Sequence, residues 1–237
     1  MEWADEGVVV AIRRLGENGI VADVLTREHG RHAGLVHGGA GKEKRGLLQP
    51  GNCLKVWWRA RLPEQLGSYR IEPVRAHAAE LFDDPGRLAA LAAACALCEV
   101  ALPERQAHPA AHAALVALLQ ALHSDAWPSV YVHWELALLR DLGYGLDLTR
   151  CAATGVNDGL AFVSPKSGRA VSLSAGEPYR DKLLTLPRFL IAGGEGGRDE
   201  IFAGLKLAGY FLDRHVLAPH HTALPAARAR LVDRFRP

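Results

Sequence analysis

The sequence predicts an α+β protein in two parts, a small five-stranded barrel followed by a helical domain. Three observations predict it. Short runs of β-formers separated by turn residues fill the first 75 positions, helical periodicity begins near Asp84-Pro85, and positive charge gathers over the β-type segment. Five short strands with turns at this spacing fit a closed barrel.

Each element has a local reason. Residues 7–15 carry the β-formers Val8, Val9, Val10 and Ile12 and end at the Gly16-Glu17-Asn18-Gly19 turn. Ile20, Ala22, Val24 and Thr26 alternate along 20–27, as a hairpin partner requires. After the Glu28-His29-Gly30 turn, residues 31–37 are the third strand. Gly38-Gly39-Ala40-Gly41 and then Lys42-Glu43-Lys44-Arg45 read as a flexible basic loop. Residues 52–60, with Leu54, Val56 and Trp58, and 67–75, with Tyr69, Ile71 and Val74, complete the five strands. Helices are predicted over 86–101, closed by Pro103, over 109–123, and over 128–142, stopped by Gly143, Gly145 and Asp147. Residues 150–175 read as turns and loops. Residues 180–191 and 199–218 read as helices on either side of Gly193-Gly194-Glu195-Gly196-Gly197, and 225–235 as a short basic helix. The expected domains are 1–80 and 81–237, the second with a loop and β insert over 150–178.

Composition bounds the function. At 237 residues, 49% apolar and 23% charged, the chain can bury a substantial core. Its longest apolar runs are Ala-rich and broken by charge, so no membrane span is expected. The start MEWADEG lacks the basic head and apolar core of a secretory leader. Cys53, Cys95, Cys98 and Cys151 do not make a disulfide framework at this length, so the expected location is the reducing cytoplasm. A net charge of +2 hides segregation. Residues 13–61 hold ten basic and four acidic side chains, 62–177 eight and thirteen, and 178–237 ten and six. Basic segments flanking an acidic middle suit a polyanionic partner. The alternative is that they are solvated faces.

Catalytic signatures are missing. Gly38–Lys42 fails as a phosphate loop, because position 36 is Val and position 43 is Glu where Gly and Ser or Thr are required. It reads either as a mobile basic loop touching phosphates or as an ordinary hairpin loop. Cys95-Ala-Leu-Cys98 lies inside a helix with no second pair at zinc spacing, so both thiols are expected in the core. His29, His32, His37, His220 and His221 have no accompanying carboxylate spacing. With no nucleophile, metal or nucleotide motif, a binding module is expected rather than an enzyme, with no cofactor and no catalytic residue. Trp57 and Trp58 point to opposite faces of their strand. One exposed among Lys55, Arg59 and Arg61 would be suited to stack on a base. The alternative is that both pack at the junction of barrel and helices.

A family resemblance sharpens this reading. Gly16-Glu17-Asn18, Leu25-Thr26, His29-Gly30, Gly38 and Leu48-Gln49-Pro50-Gly51 resemble the N-terminal domain of RecO-type DNA repair proteins. Trp134-Glu135-Leu136-Ala137-Leu138-Leu139-Arg140-Asp141-Leu142-Gly143-Tyr144 resembles that family's FELxLLxxLGY helix. Gly209-Tyr210-Phe211-Leu212, Leu224-Pro225 and Arg228 resemble its C-terminal part. The resemblance implies an OB-fold barrel, then a helical domain. It implies binding of single- and double-stranded DNA, annealing of complementary strands, and work with RecR and often RecF to load RecA onto DNA coated with single-stranded DNA-binding protein (SSB). Nucleoid association follows. Many members carry a four-cysteine zinc site. Here only Cys151 stands at its start, Thr154 occupies the position three further on, and 163–177 holds no cysteine. A degenerate, zinc-free insert with no metal is therefore expected. The expected DNA contacts are Arg13, Arg14, Arg27, Arg31, Lys42, Lys44, Arg45, Arg59 and Arg61, with Arg228, Arg230, Arg234 and Arg236 as a second surface. The expected receptor for the acidic SSB tail is Arg140 beside Leu136 and Leu139, unless Arg140 is simply a solvated helix charge. The rival readings are an RNA-binding OB-fold protein and a nucleic-acid-processing enzyme.

Overall fold

A computed structural model describes residues 1–237. It divides into two compact units, residues 1–123 with 225–228 and residues 124–224 with 229–237. The expected boundary at 80 falls inside the first of these.

In the first unit, β1 (Glu2–Leu15), β2 (Gly19–Thr26), β3 (Gly30–Val36), β4 (Cys53–Arg59) and β5 (Ser68–Arg75) close into a barrel in the order β1-β2-β3-β5-β4. Neighbours are antiparallel except β3 and β5, which meet in parallel. The long β1 serves two edges. Glu2 to Val8 pair with β4, Gly7 to Leu15 pair with β2, and the register shifts between Val9 and Ala11. Such an irregularity bends a strand, which closure requires. Alternation sends Val24, Val36, Leu54, Val56, Trp58 and Tyr69 inward.

Two short helices follow barrel strands: α1 (Lys42–Leu47) precedes β4, and α2 (His77–Glu80) follows β5. The basic segment expected as a flexible loop is thus partly helical. The outer face of β2 is also buried, at Val21, Asp23 and Leu25. Against this side lie α3 (Pro85–Ala101), which meets β1, and α4 (Pro109–Ala121), which meets β2. Asp84 caps α3 by accepting the N–H groups of Gly86 and Arg87 at 2.9 and 3.0 Å. Cys95 and Cys98 are buried, as their pattern predicts.

The second unit is built on α5 (Trp127–Asp141), whose Trp134, Leu138 and Leu139 are buried. The insert, expected as loop and β structure, contains a sheet in the order β7-β6-β8, from β6 (Leu160–Val163), β7 (Ala170–Ser172) and β8 (Leu184–Thr185), the last beyond the expected bound of 178. The helix expected over 180–191 is instead a 3-10 turn, then β8, then α7 (Phe189–Ala192), after the single turn α6 (Leu173–Gly176). Pro187 interrupts the helical register there, and β8 is drawn into pairing with β6. The helix expected over 199–218 is α8 (Arg198–Phe211), continued by a π-helical turn to Leu217. The last helix is α9 (Ala226–Phe235). No helix is long and apolar enough to cross a membrane.

Candidate nucleic-acid interface

Strand register decides which cations share a place. Arg13 faces Val21, Val21 faces Leu35, Leu35 meets Ser68, and Ser68 faces Arg59. One row of residues therefore runs from Arg13 across β2, β3 and β5 to Arg59. Arg14 stands one step along, opposite Ile20, itself opposite Val36. The segment leaving Val36 is tied back to the β1–β2 turn by the Ala40 N–H, which donates to the Asn18 carbonyl at 3.3 Å. This gathers five exposed cations, Arg13, Arg14, Lys42, Lys44 and Arg45, at one end of the barrel, with Glu17, Glu43 and, beside Arg13, Glu99 as nearby acids.

The basic helix α1 buries none of its own residues, so it needs outside anchors. Leu48, just beyond it, is fully buried in the barrel core. The Asn52 amide donates to the carbonyls of Gly46 and Leu47, each at 3.1 Å, and its oxygen accepts the Ala78 N–H at 3.1 Å. Lys44 spends one N–H on the His37 carbonyl at 2.8 Å. Sequence reading did not single out Asn52. The only signal for it was its place after the Leu48–Gly51 stretch.

The remaining expected contacts are divided. Arg59 and Arg61 are exposed at the β4–β5 connection, and Arg105 pins that loop by donating to the Gln65 carbonyl at 2.8 Å. Arg27 lies at the opposite end of β2, roughly 20 Å from Ile20 at ~3.3 Å per residue. Arg31 has a structural task. Its guanidinium pairs with the buried Asp23 carboxylate, and its Nε donates to the Leu102 carbonyl at 2.9 Å. Burial pushes the Asp23 carboxyl above its ordinary value, against the pull of Arg31. Arg228, expected on a second basic surface, is buried, whereas Arg230, Arg234 and Arg236 are exposed. Arg236 pairs with Asp233 at 3.1 Å.

The two tryptophans divide by face. Trp58 is in the core and donates its indole N–H to the Leu66 carbonyl at 3.0 Å. Trp57 is half-buried on the outer face, with the Lys55 ammonium 5.2 Å and the Arg70 guanidinium 4.7 Å from its ring centre. It lines an open groove of about 660 Å³ with Trp3, Arg59, Tyr69 and Arg70. Charge on this face is balanced: Glu6 and Glu72 flank Lys55, Glu2 faces Arg59, and Arg70 pairs with Glu72 at 2.6 Å. The face offers a stacking surface, and the barrel end offers net charge.

In the second unit, Arg140 and Leu136 line a groove of about 370 Å³ with His133, Ala137, Leu146 and Leu148. Leu139, expected beside them, is fully buried in the core instead. Gly145 keeps the groove open, since a side chain there would meet Arg140 Cγ at 3.2 Å. In the insert, Cys151 is buried and its Sγ accepts the Ser172 N–H at 3.2 Å. The Ala152 N–H donates to the Ala170 carbonyl at 2.8 Å.

Comparison with known proteins agrees along the whole chain. The family model for the recombination protein O N terminal matches residues 1–77, and that for the recombination protein O C terminal matches 83–224. The DNA repair protein RecO of Rhodospirillum centenum is 56% identical over 238 residues, covering 100% of this chain and 95% of the relative. That of Phenylobacterium zucineum is 50% identical over 237 residues, covering 99% and 98%. That of Rhodospirillum rubrum is 47% identical over 244 residues, covering 100% and 97%.

Proposed function

Since this chain belongs to the RecO family of DNA repair proteins, which are mediators and not enzymes, we propose that it binds single- and double-stranded DNA and anneals complementary strands. In this reading it also works with RecR and RecF to load RecA onto SSB-coated DNA. The single observation that carries the reading is the cluster of Arg13, Arg14, Lys42, Lys44 and Arg45 at one end of the barrel. The strand order with its parallel β3–β5 closure supports an OB-fold assignment.

Phosphates lie against the barrel end and displace counterions from the strand, which gives affinity without sequence preference. Arg59 and Arg61, exposed at the β4–β5 connection, add further cations, and Trp57 between Lys55 and Arg70 stacks on a base. Arg31 is left out, because its guanidinium is committed to Asp23. A second strand is held on Arg230 and Arg234, so that annealing needs only charge neutralisation and no bond chemistry. The groove beside Arg140 takes the acidic, apolar-ended SSB tail, with Leu136 and Leu146 receiving the apolar part and the guanidinium the carboxylate. The insert is read as zinc-free and held by its β6–β7–β8 ladder. Protein of this kind sits with the nucleoid in the cytoplasm.

The test is annealing of two complementary labelled oligonucleotides, followed by energy transfer. The Lys42/Lys44/Arg45→Ala protein should anneal at least ~10-fold more slowly, as lost phosphate contacts dictate. Equal rates would remove the barrel end from the reading.

A further inference from the structure

We propose that His77, Glu80 and His123 form a site for one divalent transition-metal ion of the zinc class, clasping α2 to the end of α4. The proposal is independent of DNA binding and lies wholly in the first unit.

His77 and Glu80 are three apart on α2 and so share a face. His123 follows α4, with its Nε2 3.3 Å from a Glu80 carboxylate oxygen. The two imidazoles are 5.8 Å apart between centroids. One donor atom from each of the three residues lies within 4.8 Å of the other two. Tetrahedral zinc at about 2.0–2.1 Å from each ligand needs donors about 3.4 Å apart, so a closure on the order of 1 Å completes the site. Glu80 and His123 are exposed and can turn to provide it.

His77 supplies a separate observation. It is 2% exposed, and its Nδ1 is buried with no hydrogen-bond partner. A buried imidazole nitrogen left unpaired is costly and calls for a partner. Two imidazoles and one carboxylate are a borderline donor set that suits Zn²⁺, Co²⁺ or Ni²⁺ and does not suit Mg²⁺ or Ca²⁺. With three protein ligands, water takes the fourth position. Arg75 is the competitor. Its Nε and Nη2 donate to Glu80 Oε2 at 3.1 and 2.9 Å, and its Nη2 lies 3.4 Å from His123 Nε2. An incoming ion displaces this guanidinium, and since the pair is solvent-exposed the displacement costs little.

The experiment titrates metal-free full-length protein with Co²⁺, read by its visible d–d absorption, and then with Zn²⁺ by calorimetry against a chelator. One equivalent should bind in a tetrahedral spectrum. His123→Ala and Glu80→Gln, both at exposed positions, should each weaken binding by more than the ~10–100-fold that losing an outer-sphere partner costs. Arg75→Ala should tighten it. The His220/His221→Ala and Cys151→Ser proteins should bind as the parent does. The proposal is overturned by absence of tetrahedral Co²⁺ binding, by binding that survives both ligand substitutions, or by weaker binding in Arg75→Ala. Each of these would leave only an Arg75–Glu80–His123 ion-pair cluster.

Discussion

Replacing Arg31 by Met should destabilise the barrel and leave DNA affinity almost untouched. The Arg31 guanidinium pairs with Asp23, whose side chain is only 8% exposed, while Arg31 itself is 17% exposed. Removing one member of a buried pair costs about 3–5 kcal/mol, because the other charge is left without compensation. The partial exposure of Arg31 places the loss near the lower end, and about 3 kcal/mol corresponds to a fall of roughly 6–12 °C in Tm for a chain of this size. Adding Asp23→Asn should recover a large part of it. Acid should also help. Burial already raises the folded carboxyl above 3.8 despite Arg31, and loss of the cation raises it further. The folded variant then takes up a proton at a higher pH than the unfolded chain, so its deficit against the parent shrinks as pH falls from neutrality. Urea unfolding at pH 7 and pH 5, followed by tryptophan fluorescence, reads both effects. A deficit within the ~0.5 kcal/mol of an ordinary surface substitution would refute the reasoning. So would a large loss of oligonucleotide affinity in folded protein.

Three further outcomes follow from named contacts. Gly30→Ala should cost about 3 kcal/mol or more, since Gly30 has φ 66° and a Cβ would sit 1.8 Å from the Gln106 carbonyl oxygen, which is backbone and cannot swing aside. A urea midpoint within error of the parent would contradict this. At Cys151, burial opposes the thiolate, but hydrogen bonds from Ser172 and Thr154 bring the thiol down from 9.0 to about 6. The folded pKa is the lower one, so the stabilisation is complete above the unfolded value and disappears as pH falls through about 6. The stability gap between the parent and Cys151→Ser should therefore widen from pH 6 to pH 9, and a flat gap would count against it. Arg140→Glu should weaken binding of an acidic peptide with an apolar C-terminus by about 10-fold or more, roughly 1.4 kcal/mol, with an unchanged unfolding midpoint. Unchanged anisotropy titrations would remove the groove as the receptor.

The parts of the fold legible in the sequence are those written in local chemistry. Alternation of Ile20, Ala22 and Val24 and of Leu54, Val56 and Trp58 announced strands, and their inward side chains form the barrel core. The Asp84-Pro85 start announced α3 through a cap and a proline at the first turn. What failed was set by distant partners. Leu184 and Thr185 carry apolar and polar residues compatible with a helix, yet pairing with Val163 and Phe162 makes them a strand. Lys42–Leu47 has no apolar stripe, so its helix was invisible, and it is fixed instead by Leu48 and Asn52. The site shows the same division. Composition marks the excess of cations. Only register shows that Arg13, Arg14 and the α1 cations share one end, that Arg27 lies apart, and that Arg31 answers Asp23. The His77–Glu80–His123 cluster was beyond motif reading, because α3 and α4 separate its two histidines in the chain.

The most direct test of the central claim is binding of a labelled single-stranded DNA oligomer over a salt series. For single strands the log–log slope is about −0.7 per phosphate neutralised, so the Lys42/Lys44/Arg45→Ala protein should lose up to about 2 from the slope as well as affinity. Trp57→Ala should lose about 1–3 kcal/mol of affinity with the slope unchanged, as removal of a stacked base dictates. A triple variant with the parental slope and affinity would contradict the account, because DNA would then not lie on the charged end of the barrel.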